Sequence, residues 1–194
     1  MGNKLRAIEK QRAYKYPCYP NREQEQQLRI EFKAARAVYN WGLATRQGLY
    51  KNEKKSISYA SKPDGLNKRL TALKKQADEY WPDHMGSPEW LNNASTQCLQ
   101  NSLRSLDNAY KHFFRRLKNN EKSGYPKFKT KGRSKNSVTY NIVHCTYDHK
   151  GQRLWLGKQS RTSGFLLLEL NGIVHYLLSP SLAPSAKIAQ VLTI

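Results

Sequence analysis

The densest group of residues able to bind a ligand is the basic run from Lys111 to Lys135, with ten Lys or Arg against one acidic residue, Glu121. Tyr125 and Phe128 lie among these cations. Lys and Arg neutralise the phosphates of a nucleic-acid backbone, and aromatic rings stack on exposed bases or sugars. Because a solvated charged surface usually mixes both signs, the run predicts contact with DNA or RNA. The candidate residues here are Lys111, Arg115, Arg116, Lys127, Phe128, Lys129, Lys131 and Arg133.

A second aromatic group lies near the start of the chain, where Tyr14, Tyr16 and Tyr19 alternate with Lys15. The rings could stack on bases, or they could pack one face of a strand against a core. Aromatic residues in strands are most often buried, which favours packing.

One group of residues has spacing that resembles a metal site: His144, Cys145, Asp148 and His149. A tetrahedral site would need further ligands, and the sequence offers no second pair with suitable spacing. We therefore interpret the group as strand and turn residues and predict no metal and no cofactor.

Catalytic residues are also not predicted. A two-metal nuclease needs converging carboxylates, whereas acidic residues are sparse here, and Asp107 is expected to pair with Lys111 one helical turn later. The sequence contains no Ser-His-Asp or Cys-His arrangement supported by local spacing, no GxxxxGK[ST] loop and no GxGxxG loop. These observations predict a binding protein that is not an enzyme as this chain stands.

The composition agrees with a charged, folded chain. Of 194 residues, 34 are Lys or Arg and 14 are Asp or Glu, giving a net charge of +20, and 38% are hydrophobic. Three scattered cysteines argue against a disulfide framework and for a reduced cytoplasmic setting. For a chain that binds nucleic acid we expect association with the nucleoid there. The most apolar window, 164–178, falls short of the ~20 residues that span a bilayer, so we predict no membrane insertion.

The helices needed to position the basic run are visible as periodic patterns. Asn21 is predicted to cap a first helix, with a break near 40–42, and Asp64 to cap a second. The third helix is the clearest. The predicted apolar stripes are Leu28, Phe32, Ala35 and Tyr39 on the first helix, Leu66, Leu70, Leu73, Ala77 and Tyr80 on the second, and Leu99, Leu103, Leu106, Tyr110, Phe113 and Leu117 on the third.

Strand-like patterns flank this helical block. They cover 11–19, then 138–147 and 152–156 around a turn, and the tail is expected to add a third strand to the last two. A helical block inserted in a small, mainly antiparallel β unit predicts the α+β class. The predicted division is a flexible start (1–10), a domain over 11–158 and a divergent apolar tail (159–194). Within the domain it gives a strand at 11–19, a helical insert at 21–119, a basic segment at 120–135 and strands at 137–158.

Four patches follow one another in a characteristic order: AYKYPCYPNREQEQQL (13–28), AVYNWGLATR (37–46), STQCLQNSLRSLDNAYKHFF (95–114) and YPKFKTK (125–131). In this order they resemble the N-terminal region of the OrfB/TnpB family of transposon-encoded proteins, compact relatives of type V CRISPR effectors. The resemblance covers about residues 11 to 158. An older label for this region is the helix-turn-helix domain of a transposase.

The resemblance implies a wedge-like β-barrel interrupted by a helical recognition lobe of three to four helices. Its implied partners are a guide RNA from the transposon end and target DNA, with base pairing reading most of the sequence. By resemblance, Lys127, Phe128 and Lys129 contact the nucleic-acid backbone. A short motif beside the target would be read near Tyr59, Ser95, Thr96 and Gln100.

Full-length members continue into a RuvC-like nuclease domain that binds Mg²⁺ and a four-Cys zinc ribbon, and neither is recognisable in this sequence. The resemblance ends near Gly157 and Lys158, where a charge-poor tail begins, so we expect a truncated or frameshifted reading frame. One alternative is a decayed fragment that binds nucleic acid by charge alone. Another is the recognition half of a split nuclease with a separate catalytic chain. A general RNA-binding protein of ribosomal type is disfavoured by the long amphipathic helices.

Overall fold

The computed structural model describes residues 20–140 and four short strands beyond them. Three α-helices dominate: α1 (Arg22–Glu53), α2 (Leu66–Leu73) and α3 (Thr96–Lys118), with 3-10 turns at Asp83–Met85 and Pro88–Asn93 between α2 and α3. The strands are β1 (Ser137–Tyr140), β2 (Cys145–Asp148), β3 (Arg153–Leu156), β4 (Leu166–Glu169) and β5 (Gln190–Thr193). The strand predicted at 11–19, together with His144 and His149, lies outside the described residues.

Helix α1 begins as predicted but has no break. Asn21 caps it, because its side chain accepts from the backbone N–H of Gln24 while the Gln24 side chain accepts from that of Asn21. The predicted break near 40–42 is wrong. Gly42 stays helical, and its lack of a side chain serves packing: a Cβ there would lie 2.7 Å from a methyl group of Leu103 on α3. Glycine therefore allows the two long helices to approach closely.

Helix α2 is shorter than predicted. Its cap is Gly65, and Asp64 instead forms an ion pair with Arg69 at 2.5 Å. The helix ends at Leu73, so Ala77 and Tyr80 do not extend its stripe. After this end the backbone forms turns, and the Tyr80 ring fills the space over Gly48 of α1. Tertiary contacts outweigh the local periodicity here.

Helix α3 confirms the strongest periodic pattern. Leu99, Leu103, Leu106 and Tyr110 are buried against α1. The stripe continues beyond the core, however, because Leu117 near the end of the helix is 55% exposed. The last turns of α3 therefore present apolar as well as charged side chains to solvent.

The predicted α+β class with a small antiparallel β-barrel is wrong. Residues 20–140 are about 60% helical and include a single strand, β1. In the described parts of the chain β1 pairs with β5, and β2, β3 and β4 form an antiparallel ladder, without closing into a barrel. The predicted strand 138–147 overlaps β1 and β2, and β3 pairs with β2 on one side and with β4 on the other. The core lies among the helices because their wide apolar stripes bury far more surface than four-residue strands can.

Helices α1 and α3 run side by side in the same direction. Glu31 contacts the start of α3, and Arg46 contacts Asp107 further along both helices. Between these contacts, the Ser102 hydroxyl donates to the Ala35 carbonyl at 2.6 Å. The alignment brings residues from the first third and the middle of the chain onto shared surfaces.

Glu31 is a buried carboxyl group at this helix junction. One of its oxygens accepts from the backbone N–H of Ser95 at 2.8 Å, and the other has no hydrogen-bond partner among the residues that the structure describes. Desolvation raises the pKa of Glu31, although the Ser95 hydrogen bond and the nearby Lys74 act in the opposite direction. A raised folded-state pKa means that the folded protein holds this proton more tightly than the unfolded chain does.

Replacing Glu31 with Gln is therefore expected to stabilise the protein at neutral pH, because the neutral amide carries no charge that burial must desolvate. In the parent protein, the contribution of Glu31 to the free energy of unfolding is greatest below its unfolded-state pKa of about 4.5. This contribution is lost as the pH rises through the folded-state pKa. Urea unfolding at pH 4 and pH 7 measures the free energy of unfolding of both proteins. The difference between Glu31→Gln and the parent is expected to be larger at pH 7 than at pH 4. A variant less stable than the parent at pH 7 would contradict it.

None of the helices that the structure describes combines the length and apolar composition needed to cross a membrane.

Candidate nucleic-acid interface

The Asn40 side chain anchors the basic segment after α3 to α1. Its amide donates to the Lys129 carbonyl at 2.9 Å, and its carbonyl oxygen accepts from the Lys129 backbone N–H at 2.8 Å. Both hydrogen-bonding groups of the segment's central residue are thus satisfied by one amide. We call this segment the strap; its backbone has a defined position on α1 at Lys129, and a turn follows at residues 131–134.

The cations of the basic segment differ in their exposure to solvent. The Lys129 ammonium lies 4.2 Å from the ring centre of Tyr39, and burial lowers its pKa. This side chain therefore packs on α1 by a cation–π contact. Lys127, Lys131 and Arg133 are exposed, as is the Phe128 ring. Three of the predicted cations, together with Phe128, thus face solvent, while Lys129 is partly buried.

The remaining predicted cations lie on the last turns of α3. Lys111, Arg115 and Arg116 are exposed there, and Arg115 and Arg116 also complement the negative end of the helix dipole. Hydroxyl oxygens of Tyr110 on α3 and Tyr125 on the segment lie 2.7 Å apart, which ties the two elements together. We call the combined surface the basic face: Lys111, Arg115, Arg116, Lys127, Phe128, Lys131 and Arg133.

A second, polar surface follows one side of α3. Thr96 accepts from the Lys74 ammonium at 2.9 Å, and Gln100 donates to the Asn67 side chain at 3.4 Å. One turn later, the Arg104 guanidinium lies 4.9 Å from the ring centre of Tyr59. We call this surface the polar edge: Tyr59, Asn67, Thr96, Gln100 and Arg104.

Three of the four predicted motif-reading residues therefore share the polar edge. Ser95 is placed differently, because it is the half-buried cap residue of α3 and its backbone N–H is bound to Glu31.

Asp107 connects the two surfaces. One of its oxygens accepts from the Tyr59 backbone N–H at 2.8 Å, and the other pairs with Arg46 at 2.7 Å. Arg46 in turn stacks on Tyr110, with its guanidinium carbon 3.7 Å from the ring centre. The predicted pairing of Asp107 with Lys111 is wrong, because the carboxylate points toward α1 and the Tyr59 loop rather than along its own helix.

Sequence reasoning assigned no role to Asn40, Asn67 or Arg104. Asn40 lies in the VYNW patch that contributed to the family resemblance. Its place in that patch was the one signal in the sequence that could have indicated a role for it. Asn67 and Arg104 have no comparable pattern, since their partners lie 33 and 45 positions away in Gln100 and Tyr59.

The described residues contain no group of three or more His, Cys, Asp or Glu side chains able to hold a metal ion. Cys145 and Asp148 lie in β2, where only the backbone is described. The geometry described so far supports binding surfaces made of cations, amides and rings.

Comparisons with known proteins bear on the family of this chain. A family model for the OrfB_IS605 helix-turn-helix domain matches residues 10–55. A protein of Streptomyces pristinaespiralis named "Putative RNA-guided DNA endonuclease" is 31% identical over 136 residues, which are 70% of this chain and 29% of that protein. The similarly named InsQ of Escherichia coli is 28% identical over 146 residues, 75% of this chain and 31% of InsQ.

The chain belongs to the OrfB/TnpB family. The match confirms the resemblance seen in the four sequence patches. This OrfB/TnpB chain spans about 30% of the length of the two curated relatives.

The helix-turn-helix description does not correspond to two helices in residues 20–55. The family match extends over 10–55, and the part of it that the structure describes contains one uninterrupted helix, α1. Many α1 side chains are buried, among them Val38, Trp41 and Leu43. In this OrfB/TnpB chain α1 therefore acts as the scaffold for the strap and for α3.

Replacing Asn40 with Ala is expected to release the strap from α1, because both backbone groups of Lys129 lose their partner. Loss of these hydrogen bonds costs about 1–3 kcal/mol locally. Limited trypsin digestion measures the release as severalfold faster cleavage after Lys127, Lys129 and Lys131. Cleavage after Lys55, an exposed residue in the loop that follows α1, is the internal control. Equal acceleration there would indicate general unfolding instead.

Proposed function

We propose that this OrfB/TnpB chain binds nucleic acid through the basic face. The observation that supports this most directly is the group of three exposed cations, Lys127, Lys131 and Arg133, on a strap whose backbone is held by Asn40. A fixed backbone presents cations at constant spacing, which reduces the entropy lost when phosphates bind. Phe128 adds an exposed ring to the same surface.

We further propose that the ligands are a guide RNA and its target DNA, in line with the names of the relatives. In RNA-guided recognition, base pairing reads the long sequence while the protein reads a short duplex motif and helix shape. The polar edge offers amides and a guanidinium, which are groups that hydrogen-bond to base edges. Tyr59, Thr96 and Gln100 are its proposed reading residues, with Ser95 positioning α3 beside them.

The proposed role of residues 20–140 is recognition. The relatives are named endonucleases, and we place the cleavage step on none of the described residues. A separate catalytic chain is the partner that this role would require in a split nuclease.

A second candidate function is binding by charge alone, with no preference for sequence. The net charge of +20 favours it, because counterion release drives association with any polyanion.

Titration of the purified chain against its own transposon-end RNA and a length-matched scrambled RNA, at several salt concentrations, separates these candidates. A preference of tenfold or more, about 1.4 kcal/mol, would support guide recognition. Equal affinities with a steep salt dependence would support binding by charge alone. No measurable binding to either RNA would overturn the proposal.

Replacing Gln100 with Ala is expected to reduce the preference for one short duplex motif over others, since an amide contact to a base contributes about 1–3 kcal/mol of discrimination. Competition binding with duplexes that differ only in a short flanking motif measures it. Gln97→Ala is the matched control, because Gln97 lies one turn earlier on α3 and contacts Asn101 on its own helix. Identical preferences in the two variants would remove Gln100 from the reading surface.

A further inference from the structure

An aromatic cluster at the end of α3 is left unused by the binding surfaces above. It consists of Phe113, Phe114, Leu117 and Tyr125, and we call it the aromatic platform. We propose that the platform stacks unpaired bases of a single-stranded nucleic acid. This inference rests on the proposed nucleic-acid binding and specifies the form of nucleic acid that the chain takes at this position.

The rings of the platform are held in place by each other. The Phe113 ring centre lies 5.1 Å from that of Phe114 and 5.3 Å from that of Tyr125, with tilted, edge-on geometry in both pairs. Tyr125 also meets the buried Tyr110 edge-on at 5.5 Å and shares a hydrogen bond with its hydroxyl. The exposed rings thus have fixed orientations, so little conformational entropy is lost when a base stacks on them.

The platform is exposed although its residues are strongly apolar. Phe114 is 56% exposed, Leu117 is 55% exposed and Tyr125 is 45% exposed. Contiguous exposed apolar side chains commonly mark a binding surface. The core does not need these groups, because Leu99, Leu103 and Leu106 already bury the inner side of α3. A ligand is the simplest reason for rings at this position.

The rim of the platform identifies the ligand class. On α3, Lys111 and Lys118 stand three and four positions from Phe114 and so flank it on the helix surface. Arg115 lies next to Phe114, and Lys127 follows Tyr125 on the strap. The one acidic residue of this region, Glu121, accepts from the Asn119 side chain at 3.0 Å. The platform is therefore an apolar patch with a positive rim.

A positive rim disfavours a second copy of this chain, because two identical rims would repel each other across the contact. It favours a polyanion with flat apolar groups, which is the chemistry of nucleic acid. Duplex DNA or RNA presents phosphates to such a rim but keeps its base faces stacked internally. Only unpaired bases offer free faces to the rings, so the ligand is single-stranded.

The test compares three fluorescently labelled probes of equal length: a single-stranded oligonucleotide with bases, the same backbone with abasic positions, and a duplex. Anisotropy titrations use the full chain, Phe114→Ala and Phe114→Trp. Phe114→Ala is expected to weaken binding of the single strand with bases about fivefold or more, which is the effect of losing one stacked base. It is expected to leave the abasic strand and the duplex unchanged, and Phe114→Trp is expected to restore binding.

Circular dichroism melting of each variant checks the fold, and sedimentation velocity checks self-association. Equal weakening of all three probes by Phe114→Ala, or no weakening of any, would overturn the platform while leaving charge-driven binding in place. Self-association of the parent chain that Phe114→Ala abolishes would also overturn it. If the parent chain binds none of the three probes, the proposed nucleic-acid function itself fails.

Discussion

Replacement of Asp107 with Ala is expected to lower the free energy of unfolding by about 2–4 kcal/mol, because it breaks a partly buried ion pair and removes the acceptor of a backbone N–H. The Arg46 and Asp107 side chains are only 11% and 16% exposed, so solvent cannot replace the lost carboxylate easily. The substitution also leaves the Tyr59 backbone N–H without its acceptor. The loss is large because one side chain satisfies a guanidinium and a backbone group at the same time.

Chemical denaturation followed by circular dichroism measures this loss. Glu25→Ala is the matched control, because Glu25 pairs with Arg29 on the surface of α1, where the side chains are 73% (Arg29) and 47% (Glu25) exposed. Such an exposed pair one turn apart contributes only about 0.3–0.5 kcal/mol. If Asp107→Ala costs no more than Glu25→Ala, then Asp107 does not link the Tyr59 loop to α1 as the structure indicates.

The second large effect is expected from removing the exposed cations of the strap. A variant with Lys127, Lys131 and Arg133 all replaced by Ala should bind every nucleic-acid sequence more weakly. Its log–log salt slope should be shallower by about 2–3, because each lost phosphate contact contributes about 0.9 on duplex DNA and about 0.7 on a single strand. Lys129 is retained in this variant because it packs on Tyr39 and its loss would also disturb the fold.

Affinity measurements at several salt concentrations give the slope directly. The control removes the same charge elsewhere, through Ala at Lys62, Lys68 and Lys75, which are exposed on or beside α2. If both triple variants change the slope equally, binding depends on total charge and the strap has no special position in the interface. A changed slope only in the strap variant would support the basic face.

The two binding surfaces share one structural support. The strap is fixed to α1 by Asn40, and the Tyr59 loop is fixed to α3 and α1 by Asp107 and Arg46. Because α1 is long and unbroken, it can hold the strap and the Tyr59 loop in defined positions relative to each other, although they lie far apart in the chain. The same scaffold leaves the end of α3 exposed, where the platform meets the strap through Tyr125.

Properties that depend on local spacing and on charge could be predicted from the amino-acid sequence. The steps of three and four between Leu99, Leu103 and Leu106 produce one apolar stripe in any α-helix, so the third helix was predictable. The Asn21 cap followed from neighbouring residues for the same reason. The net positive charge of the basic run holds whatever the fold, and the order of four patches was enough to indicate the OrfB/TnpB family.

Contacts between residues far apart in the chain could not be predicted, because they depend on how the helices pack. Asn40 and Lys129 are 89 positions apart, and Asp107 and Tyr59 are 48 positions apart, so no local pattern connects them. The unbroken α1, the early end of α2 and the helical core in place of a barrel likewise depend on packing. The free energy of burying side chains between helices exceeds local propensity, and it depends on neighbours that sequence spacing does not reveal.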